Sequence, residues 1–310
     1  MSKLLDTEDA QGQRKQIERE DAALTAHFRP KLTVNDDLTR ALVSFQANKT
    51  AAGYRWFKFK EGFSAALVNY AFDQLQIGSG KVIDPFAGSG ATLFSSSERG
   101  LDAVGIELLP IGCEVIRARK AAIQHADKAI STLRNWIRQK PWQTSNGRQV
   151  SFQHLRITEG AFPPKAERRL KSYLGALSHV RDAASKSVLR LVLLSILEEI
   201  SYTRKDGQYL RWDYRSGRRQ GTKPFDKGRI RDFDVAILEK LTHVLADLES
   251  APDLFGNASR PRLSGQIEVL WGSCLEELPK LPTNSIGMIT PGRMPLNWRC
   301  WVSMRWASAN

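Results

Sequence analysis

The spacing of apolar residues along the chain predicts an α/β protein built on a parallel sheet. A helix is expected to begin after Ser64, a suitable N-cap, because apolar residues then recur at helical spacing. A short strand over 81–83 leads into a loop of glycine and serine, a helix over about 91–99 and a second strand over 102–107. A β-α-β unit with such short connections predicts a doubly wound sheet whose strands run parallel.

The pattern of strands and helices continues after an interruption. Residues 111–140 predict one long basic helix, the apolar run 191–200 a core helix, and residues 233–250 an amphipathic helix. Strand, helix and strand then resume over 266–290, so a mostly helical insertion divides the predicted sheet. We expect five regions: a polar N-terminal extension with short helices or partial order (1–50), a cofactor-binding half (51–140), a helical basic insertion for target recognition (141–262), the start of a catalytic half (263–291) and an aberrant tail (292–310).

Composition adds a candidate partner. The chain has 310 residues, of which 42% are hydrophobic, so it can bury a substantial core. Charged residues make up 25% and the formal net charge is +13. A positive charge of this size favours a polyanionic partner, with nucleic acid as the leading candidate. A basic surface without such a partner is the alternative.

Cysteine usage and the N-terminal sequence bear on the cellular compartment. Cys113, Cys274 and Cys300 are odd in number and far apart, which predicts neither a disulfide framework nor a zinc site. The histidines are scattered without metal-like pairs. The first residues contain no apolar segment of signal-peptide length, and no window reaches transmembrane length. We therefore expect a cytoplasmic protein without a metal.

The segment VIDPFAGSG (82–90) is the strongest chemical signal in the chain. Gly88 and Gly90 let the backbone turn tightly and approach a ligand, and the next helix directs its free N–H groups at the loop. Asp84 can accept hydrogen bonds from an amino group, and Glu107 ends the next strand, where a carboxylate grips ribose hydroxyls. A dinucleotide site would need a third glycine at Leu93, and an acid suits a diphosphate poorly. The sign of the charge favours S-adenosylmethionine, which carries an ammonium and a sulfonium.

Several stretches point to one family: FKEGFS (59–64), DPFAGSG (84–90), GIELLP (105–110) and LWGSCLEELPKLPTNSIGMIT (270–290). They resemble the amino methyltransferases of DNA, which modify cytosine N4 or adenine N6. The resemblance implies a Rossmann-like class I methyltransferase sheet that binds S-adenosylmethionine. It implies a cofactor site formed by Phe63, Ser64, Asp84, Pro85, Phe86, Ala87, Gly88, Ser89, Gly90, Glu107, Ser273 and Cys274. Family members often carry an acid at the position of Ser273, so weaker cofactor affinity is expected here.

A basic, aromatic stretch lies inside the insertion. Ten lysines and arginines fall within 204–231, with tyrosines and a tryptophan beside or among them. Such groups position phosphates and release counterions, and arginine forks can read guanine edges. We expect double-stranded DNA to be bound by Arg204, Lys205, Arg211, Arg215, Arg218 and Arg219. A solvated basic loop is the alternative.

The catalytic loop that the resemblance implies is missing. In the family, the strand equivalent to IGMIT (286–290) ends in Ser-Pro-Pro-aromatic or Asp-Pro-Pro-aromatic, which presents acceptors to the amine of a flipped base. This chain has Thr290-Pro291-Gly292-Arg293 instead, so Thr290 and Pro291 are a vestige and no catalytic residue is intact. We interpret residues 292–310 as an out-of-frame reading after a small insertion or deletion, or as a truncation.

The sequence therefore predicts a site-specific DNA methyltransferase by ancestry, inactive or nearly so as written. Thr290 before proline leans towards cytosine N4 over adenine N6. Two alternatives stay open, an RNA methyltransferase and a non-catalytic DNA-binding remnant. A restriction endonuclease is a candidate partner. The recognition sequence and the oligomeric state do not follow from the residues.

Overall fold

The computed structural model describes residues 7–31, 35–144, 150, 154–206, 209–220, 223–250, 261–282 and 286–289. The chain divides into two units, Met1–Thr39 with Met294–Asn310, and Arg40–Arg293. The α-helices are α1 Thr7–Phe28, α2 Arg40–Val43, α3 Ala65–Gln74, α4 Ala91–Glu98, α5 Pro110–Gln124, α6 Ala126–Gln139, α7 Pro141–Thr144, α8 Pro164–Ser178, α9 Ala183–Ile196, α10 Phe233–Glu249 and α11 Cys274–Glu277. The strands are β1 Val82–Asp84, β2 Ala103–Glu107, β3 Thr203–Asp206, β4 Tyr209–Trp212, β5 Ile267–Trp271 and β6 Met288–Ile289.

The first unit contains the long helix α1, where the sequence predicted short helices or partial order. Its 22 residues are rich in Gln, Arg, Glu and Ala, which favour helix, and Arg14 pairs with Glu18 at 3.2 Å. Its apolar side chains do not form a buried stripe, since Ile17 is 65% and Leu24 58% exposed. The prediction missed the length of this helix, whereas the four-residue helix α2 Arg40–Val43 fits the expected short helices.

The second unit is built on a parallel sheet of four strands in the order β5-β2-β1-β6. Val82 lies opposite Ala103, and Ile83 lies opposite both Val104 and Ile289. The predicted strands over 81–83 and 102–107 are confirmed to within one residue, and strand, helix and strand recur near the end as β5, α11 and β6. The α/β class with a parallel sheet is thus confirmed.

The two faces of the sheet are buried against different partners. Val82 and Ala103 face the large core with the helices, whereas Ile83, Val104 and Ile106 face a small separate cluster. This alternation is what successive residues of a strand produce. The β-α-β unit therefore has both faces covered, as parallel strands require.

The long basic helix predicted over 111–140 is two helices. The helix α5 ends at Gln124, and His125, at φ −115° and ψ 46°, breaks it before α6 begins. The segment has no proline or glycine at the break, so the sequence carried no stop signal. The single-helix prediction was wrong, and the turn lets α6 pack against α9 and α10.

The helices of residues 141–262 share one core with those of the preceding region. Tyr173 of α8 packs on Trp142 and Phe233 with ring centroids 5.6 and 6.0 Å away, and its hydroxyl donates to Leu189 O at 3.0 Å. The core helix predicted over 191–200 corresponds to the buried C-terminal part of α9, which ends at Ile196. The amphipathic helix predicted over 233–250 is α10. The division of the chain into functional regions stays a prediction. Within the described residues, no helix is long and apolar enough to cross a membrane.

One element was not predicted, the antiparallel hairpin β3–β4 in the basic stretch. Thr203 lies opposite Trp212 and Arg204 opposite Arg211. The sequence does carry a signal for it, since Gly207 stands between two short runs that contain Tyr202 and Thr203 on one side and Tyr209, Leu210 and Trp212 on the other.

Candidate cofactor site and basic hairpin

The glycine loop lies where the order of the sheet reverses. The strands β2 and β5 lie to one side of β1 and β6 lies to the other, so β1 is the strand at the switch point. Open parallel sheets bind ligands outside the carboxyl ends of their strands at this point. Gly88 and Gly90 follow β1 there with φ of +56° and +84°, a region that favours glycine.

Close packing is a second reason for the glycines of the loop. A Cβ on Gly88 would lie 3.0 Å from the ring of Phe59, and one on Gly90 would lie 2.9 Å from Ile116. A Cβ on Gly112, in the first turn of α5, would come within 2.6 Å of both Glu107 and Gly88 O. Phe59 thus borders the loop, although sequence reasoning chose Phe63 and Ser64 from the same FKEGFS stretch.

Glu107 ties the loop to the end of β2. Its two carboxylate oxygens accept hydrogen bonds from Gly88 N and Leu109 N, each at 2.7 Å. Its side chain is buried, with 8% of the residue exposed. Within the described residues, no lysine or arginine forms an ion pair with it. Backbone amides alone hold a buried carboxylate at the position that sequence reasoning assigned to ribose hydroxyls.

Asp84 is buried at the end of β1, with 1% of the residue exposed. Its carboxylate accepts a hydrogen bond from Phe86 N at 3.0 Å, which fixes the turn through Pro85. The loop is joined to β2 by Ala87 N, which donates to Ile106 O at 2.9 Å. The side chain of Phe86 points outward and is 56% exposed. The loop therefore holds an acid inside and an aromatic ring at the surface.

The end of β5 completes this edge of the sheet. Gly272 N donates to Glu107 O at 3.2 Å, so Ser273 and Cys274 follow directly beside the Glu107 strand. The Ser273 hydroxyl caps the short helix α11 by accepting from Leu275 N at 3.3 Å. Trp271 is 62% exposed, and its indole N–H donates to Leu108 O at 3.2 Å.

The structure gives Ser64 a structural role. Its side chain caps α3 by accepting from Leu67 N at 3.0 Å, and its hydroxyl donates to Leu42 O. The predicted N-cap is thereby confirmed. Phe63 is half-buried and packs on the large core. Thr290 and Pro291, the predicted vestige of the catalytic loop, lie outside the described residues.

A buried arginine supports the glycine loop from behind. The Arg119 guanidinium lies between the rings of Tyr54 and Phe94, 3.8 and 3.7 Å from their centroids. The Phe94 ring in turn bounds the space at Gly90. Burial lowers the pKa of Arg119 and raises the pKa of the Tyr54 phenol above its usual range. This stack fixes the first turn of α4, which follows the loop.

Cys113 lies next to this edge but is unsuited to chemistry. It is buried, its thiol lies 3.5 Å from Glu107 O, and burial raises the pKa of the thiol. In the part of the chain that the structure describes, no group of three or more His, Cys, Asp or Glu residues could hold a metal ion.

The six basic residues predicted to bind DNA have very different surroundings. Arg215 is held by Asp213, a fully buried acid, at 2.6 and 2.8 Å, and the Arg215 guanidinium keeps the pKa of that carboxyl below its usual range. Arg218 lies 3.6 Å over the Trp212 ring and donates to Arg156 O and Glu159 O. The hydrogen bonds of these two arginines therefore go to protein groups and stabilise the fold.

The other four basic residues make fewer hydrogen bonds to protein groups in the described residues. Lys205 forms an ion pair with Glu61. Arg204 and Arg211 lie over one ring, Phe225, at 4.5 and 4.1 Å. Arg219 is exposed and has no partner in the described residues.

The curated relatives are methyltransferases. No protein-family model matches the chain. The chain is 45% identical over 271 residues to Type II methyltransferase M.AvaI of Nostoc sp. and, to the same extent, of Anabaena variabilis, a match over 86% of this chain and 55% of the relative. It is 33% identical over 270 residues to Type II methyltransferase M.BsoBI of Geobacillus stearothermophilus, over 82% of this chain and 51% of the relative. The chain spans about half the length of the curated relatives that it matches.

Proposed function

Because this chain belongs to the type II methyltransferase family, we propose that it binds S-adenosylmethionine and derives from an enzyme that methylates double-stranded DNA at a specific site. The observation that carries the proposal is the edge of the sheet where Asp84, Glu107 and the glycine loop meet. Glu107 is a buried carboxylate without a cationic partner in the described residues, and it lies beside the switch point of the parallel sheet, where functional sites are typical.

The chemistry of the loop fits this cofactor. Asp84 offers a carboxylate to the ammonium of the methionine moiety, and Glu107 has lone pairs left for the ribose hydroxyls after it accepts from two amides. Trp271 and Phe86 expose flat apolar surface at the same edge, which suits a purine ring. When bound, the cofactor supplies an electrophilic methyl group. The residues of this chain bind and orient it.

The finer parts of the proposal concern fold and target. We assign the sheet to the Rossmann-like class I methyltransferase group. The target is an exocyclic base amine, with cytosine N4 favoured over adenine N6. A restriction endonuclease is the expected partner system, and the cytoplasm is the expected compartment.

We propose that this chain does not transfer methyl groups by itself. An exocyclic amine needs acceptors and an aromatic ring at the catalytic loop, whereas Thr290-Pro291-Gly292-Arg293 provides one proline and no aromatic. None of the proposed cofactor-binding residues belongs to that loop, so we expect the two activities to separate.

Calorimetric titration with S-adenosylmethionine tests the cofactor part. The wild-type chain should bind it and not ATP, and Asp84→Asn should weaken binding about tenfold because a charge-assisted hydrogen bond is lost. Asp73→Asn is the matched control, since that acid is 62% exposed and pairs with Arg99 on the surface. Equal affinity in Asp84→Asn and the control, or no binding by wild type, contradicts the proposed site.

Tritium transfer from the labelled cofactor tests the catalytic part. The wild-type chain should label neither duplex DNA nor duplex RNA. Labelled DNA would show that the chain is active, and labelled RNA would favour an RNA methyltransferase. Binding of DNA without any binding of the cofactor would favour the DNA-binding remnant.

A further inference from the structure

The hairpin β3–β4 has two faces of different character. Thr203 and Trp212 lie opposite each other on the inner face, where Thr203 is buried and Trp212 is covered by Arg218. Residues directly opposite on an antiparallel pair share one face. The outer face therefore carries the pairs Arg204–Arg211 and Asp206–Tyr209, and Tyr209 is 80% exposed.

Two like charges face each other on the outer face. Arg204 and Arg211 lie opposite in the register, a placement that is destabilising for two cations. The ring of Phe225 lies against both guanidinium groups and offsets part of the repulsion. Phe225 is itself held by its carbonyl, which accepts from Tyr214 N at 2.9 Å. The pair is thus fixed in position before any partner arrives.

Most hydrogen-bonding capacity of this pair is unused. A guanidinium that stacks on a ring uses its face and keeps the N–H donors at its edge. Arg211 donates once, to Asp206 at 3.3 Å across an exposed pair, and Arg204 has no hydrogen-bond partner in the described residues. Arg215 and Arg218, by contrast, use several donors on protein acceptors.

We propose that the outer face of β3–β4 is the DNA-contacting surface and that Arg204 and Arg211 together hold one phosphodiester group. Two preorganised forks next to one another match the oxygens of a phosphate, and its negative charge removes the repulsion between them. A two-stranded ribbon is also narrow enough to lie along a groove of B-DNA. The inference rests on the proposed function. It reduces the set of basic residues expected to contact DNA from six to two.

Anisotropy of a labelled duplex of random sequence, measured from 50 to 250 mM KCl, tests the pair. The double variant R204Q/R211Q should weaken binding about tenfold at the higher salt and lower the slope of log affinity against log salt by about 1. Each single variant should lower the slope by less, because the remaining fork still holds the phosphate. A loss of about 2 in the double variant would mean two separate phosphates and would overturn the shared site.

Lys205→Gln is the matched control. It removes the same charge from the adjacent position, but Lys205 lies on the other face with Glu61 as its partner. Its duplex affinity and salt slope should equal those of the wild type. Equal losses in Lys205→Gln and Arg204→Gln would show a general charge effect and overturn the proposal, as would a wild-type chain that binds no duplex.

Thermal unfolding gives a readout that DNA binding cannot supply. R204Q/R211Q should unfold close to the wild-type temperature, since relief of the like-charge repulsion offsets the loss of the contacts with Phe225 and Asp206. A clear loss of thermal stability would mean that the pair serves the fold. Titration of the same preparations with S-adenosylmethionine separates this test from that of the proposed cofactor site. A chain that does not bind the cofactor can still show the predicted dependence of duplex affinity on salt.

Discussion

Glu107 and Asp213 are both buried carboxylates that organise a loop, yet their surroundings differ. Glu107 accepts from Gly88 N and Leu109 N and has no cationic partner in the described residues. Asp213 accepts from Lys227 N as well as from the backbone and guanidinium of Arg215. The first carboxylate has only backbone donors in the described residues, whereas the charge of the second is neutralised inside the protein by Arg215.

The presence or absence of a cationic partner distinguishes a structural acid from a candidate ligand-binding acid better than burial does. A buried charge costs free energy unless it is paired, so an unpaired one at a loop edge is tolerated where a ligand pays for it. Asp213 and Arg215 instead form a hydrogen-bonded group with Lys227 N, here called the Asp213 knot. It fixes the chain between β4 and Gly228, whose carbonyl also accepts a hydrogen bond from Arg215. Substitution of Asp213 should therefore lower mainly the stability of the protein, and substitution of Glu107 mainly its affinity for the cofactor.

The largest expected effect is a loss of stability in Asp213→Asn. An amide cannot accept from the two backbone N–H groups and the guanidinium together, and it removes the charge that Arg215 neutralises. The free energy of unfolding should fall by about 3 kcal/mol, measured by urea titration. Affinity for S-adenosylmethionine should stay within twofold of the wild type.

Asp226→Asn provides the control for this knot. Asp226 also lies near Arg215, at 3.5 Å, but its side chain is 67% exposed. Exposed pairs contribute little, so its free energy of unfolding should change by less than about 1 kcal/mol. A change as large as that of Asp213→Asn would mean that burial does not distinguish the two acids.

The next effect is a loss of cofactor affinity in Glu107→Gln. Glutamine has one acceptor oxygen for two backbone N–H groups, so either Gly88 N or Leu109 N would face an amide N–H. We expect about thirtyfold weaker binding of S-adenosylmethionine by calorimetry, which corresponds to about 2 kcal/mol. Stability should fall by about 1 kcal/mol, less than in Asp213→Asn.

Glu114→Gln is the control for Glu107→Gln, because Glu114 lies on the helix that follows β2. Glu114 belongs to α5 and pairs with Arg190 at 3.2 Å, and its side chain is 27% exposed. Cofactor affinity should remain at the wild-type value. If the two glutamine variants lose affinity equally, the comparison between a ligand-directed acid and a structural acid fails.

The parts of this picture that sequence could predict are those with local signals. The glycines of VIDPFAGSG and the strand that ends at Glu107 predicted the loop and its edge, because turn chemistry and strand length are read over a few residues. The break at His125 has no local signal. The internal roles of Arg215 and Arg218 depend on Gly228, Arg156 and Glu159, partners that are distant in the chain. Charge alone therefore grouped arginines that bind several protein acceptors with arginines that bind few or none in the described residues.

The smallest effect is a pH dependence at the edge of the Asp213 knot. Lys227 donates through its ammonium to Glu198 O and Ser201 O, and burial lowers its pKa from 10.5 to about 8. Between pH 8 and 10.5 the unfolded chain binds more protons at this position than the folded chain, so stability rises with pH in that window. The neutral amine still has two N–H groups for the two carbonyls, so no hydrogen bond is lost.

Comparison with Lys227→Met isolates this contribution, since methionine does not titrate. From pH 7.5 to 10 the free energy of unfolding of the wild type should rise relative to that of the variant by about 1 kcal/mol, after allowance for solvent screening. Lys223→Met, at an exposed position, should follow the wild type across the same range. A constant difference in the free energy of unfolding between wild type and Lys227→Met would show that Lys227 keeps its proton on folding. The Asp213 knot would then accommodate the ammonium charge of Lys227 as well as neutralise the carboxylate of Asp213.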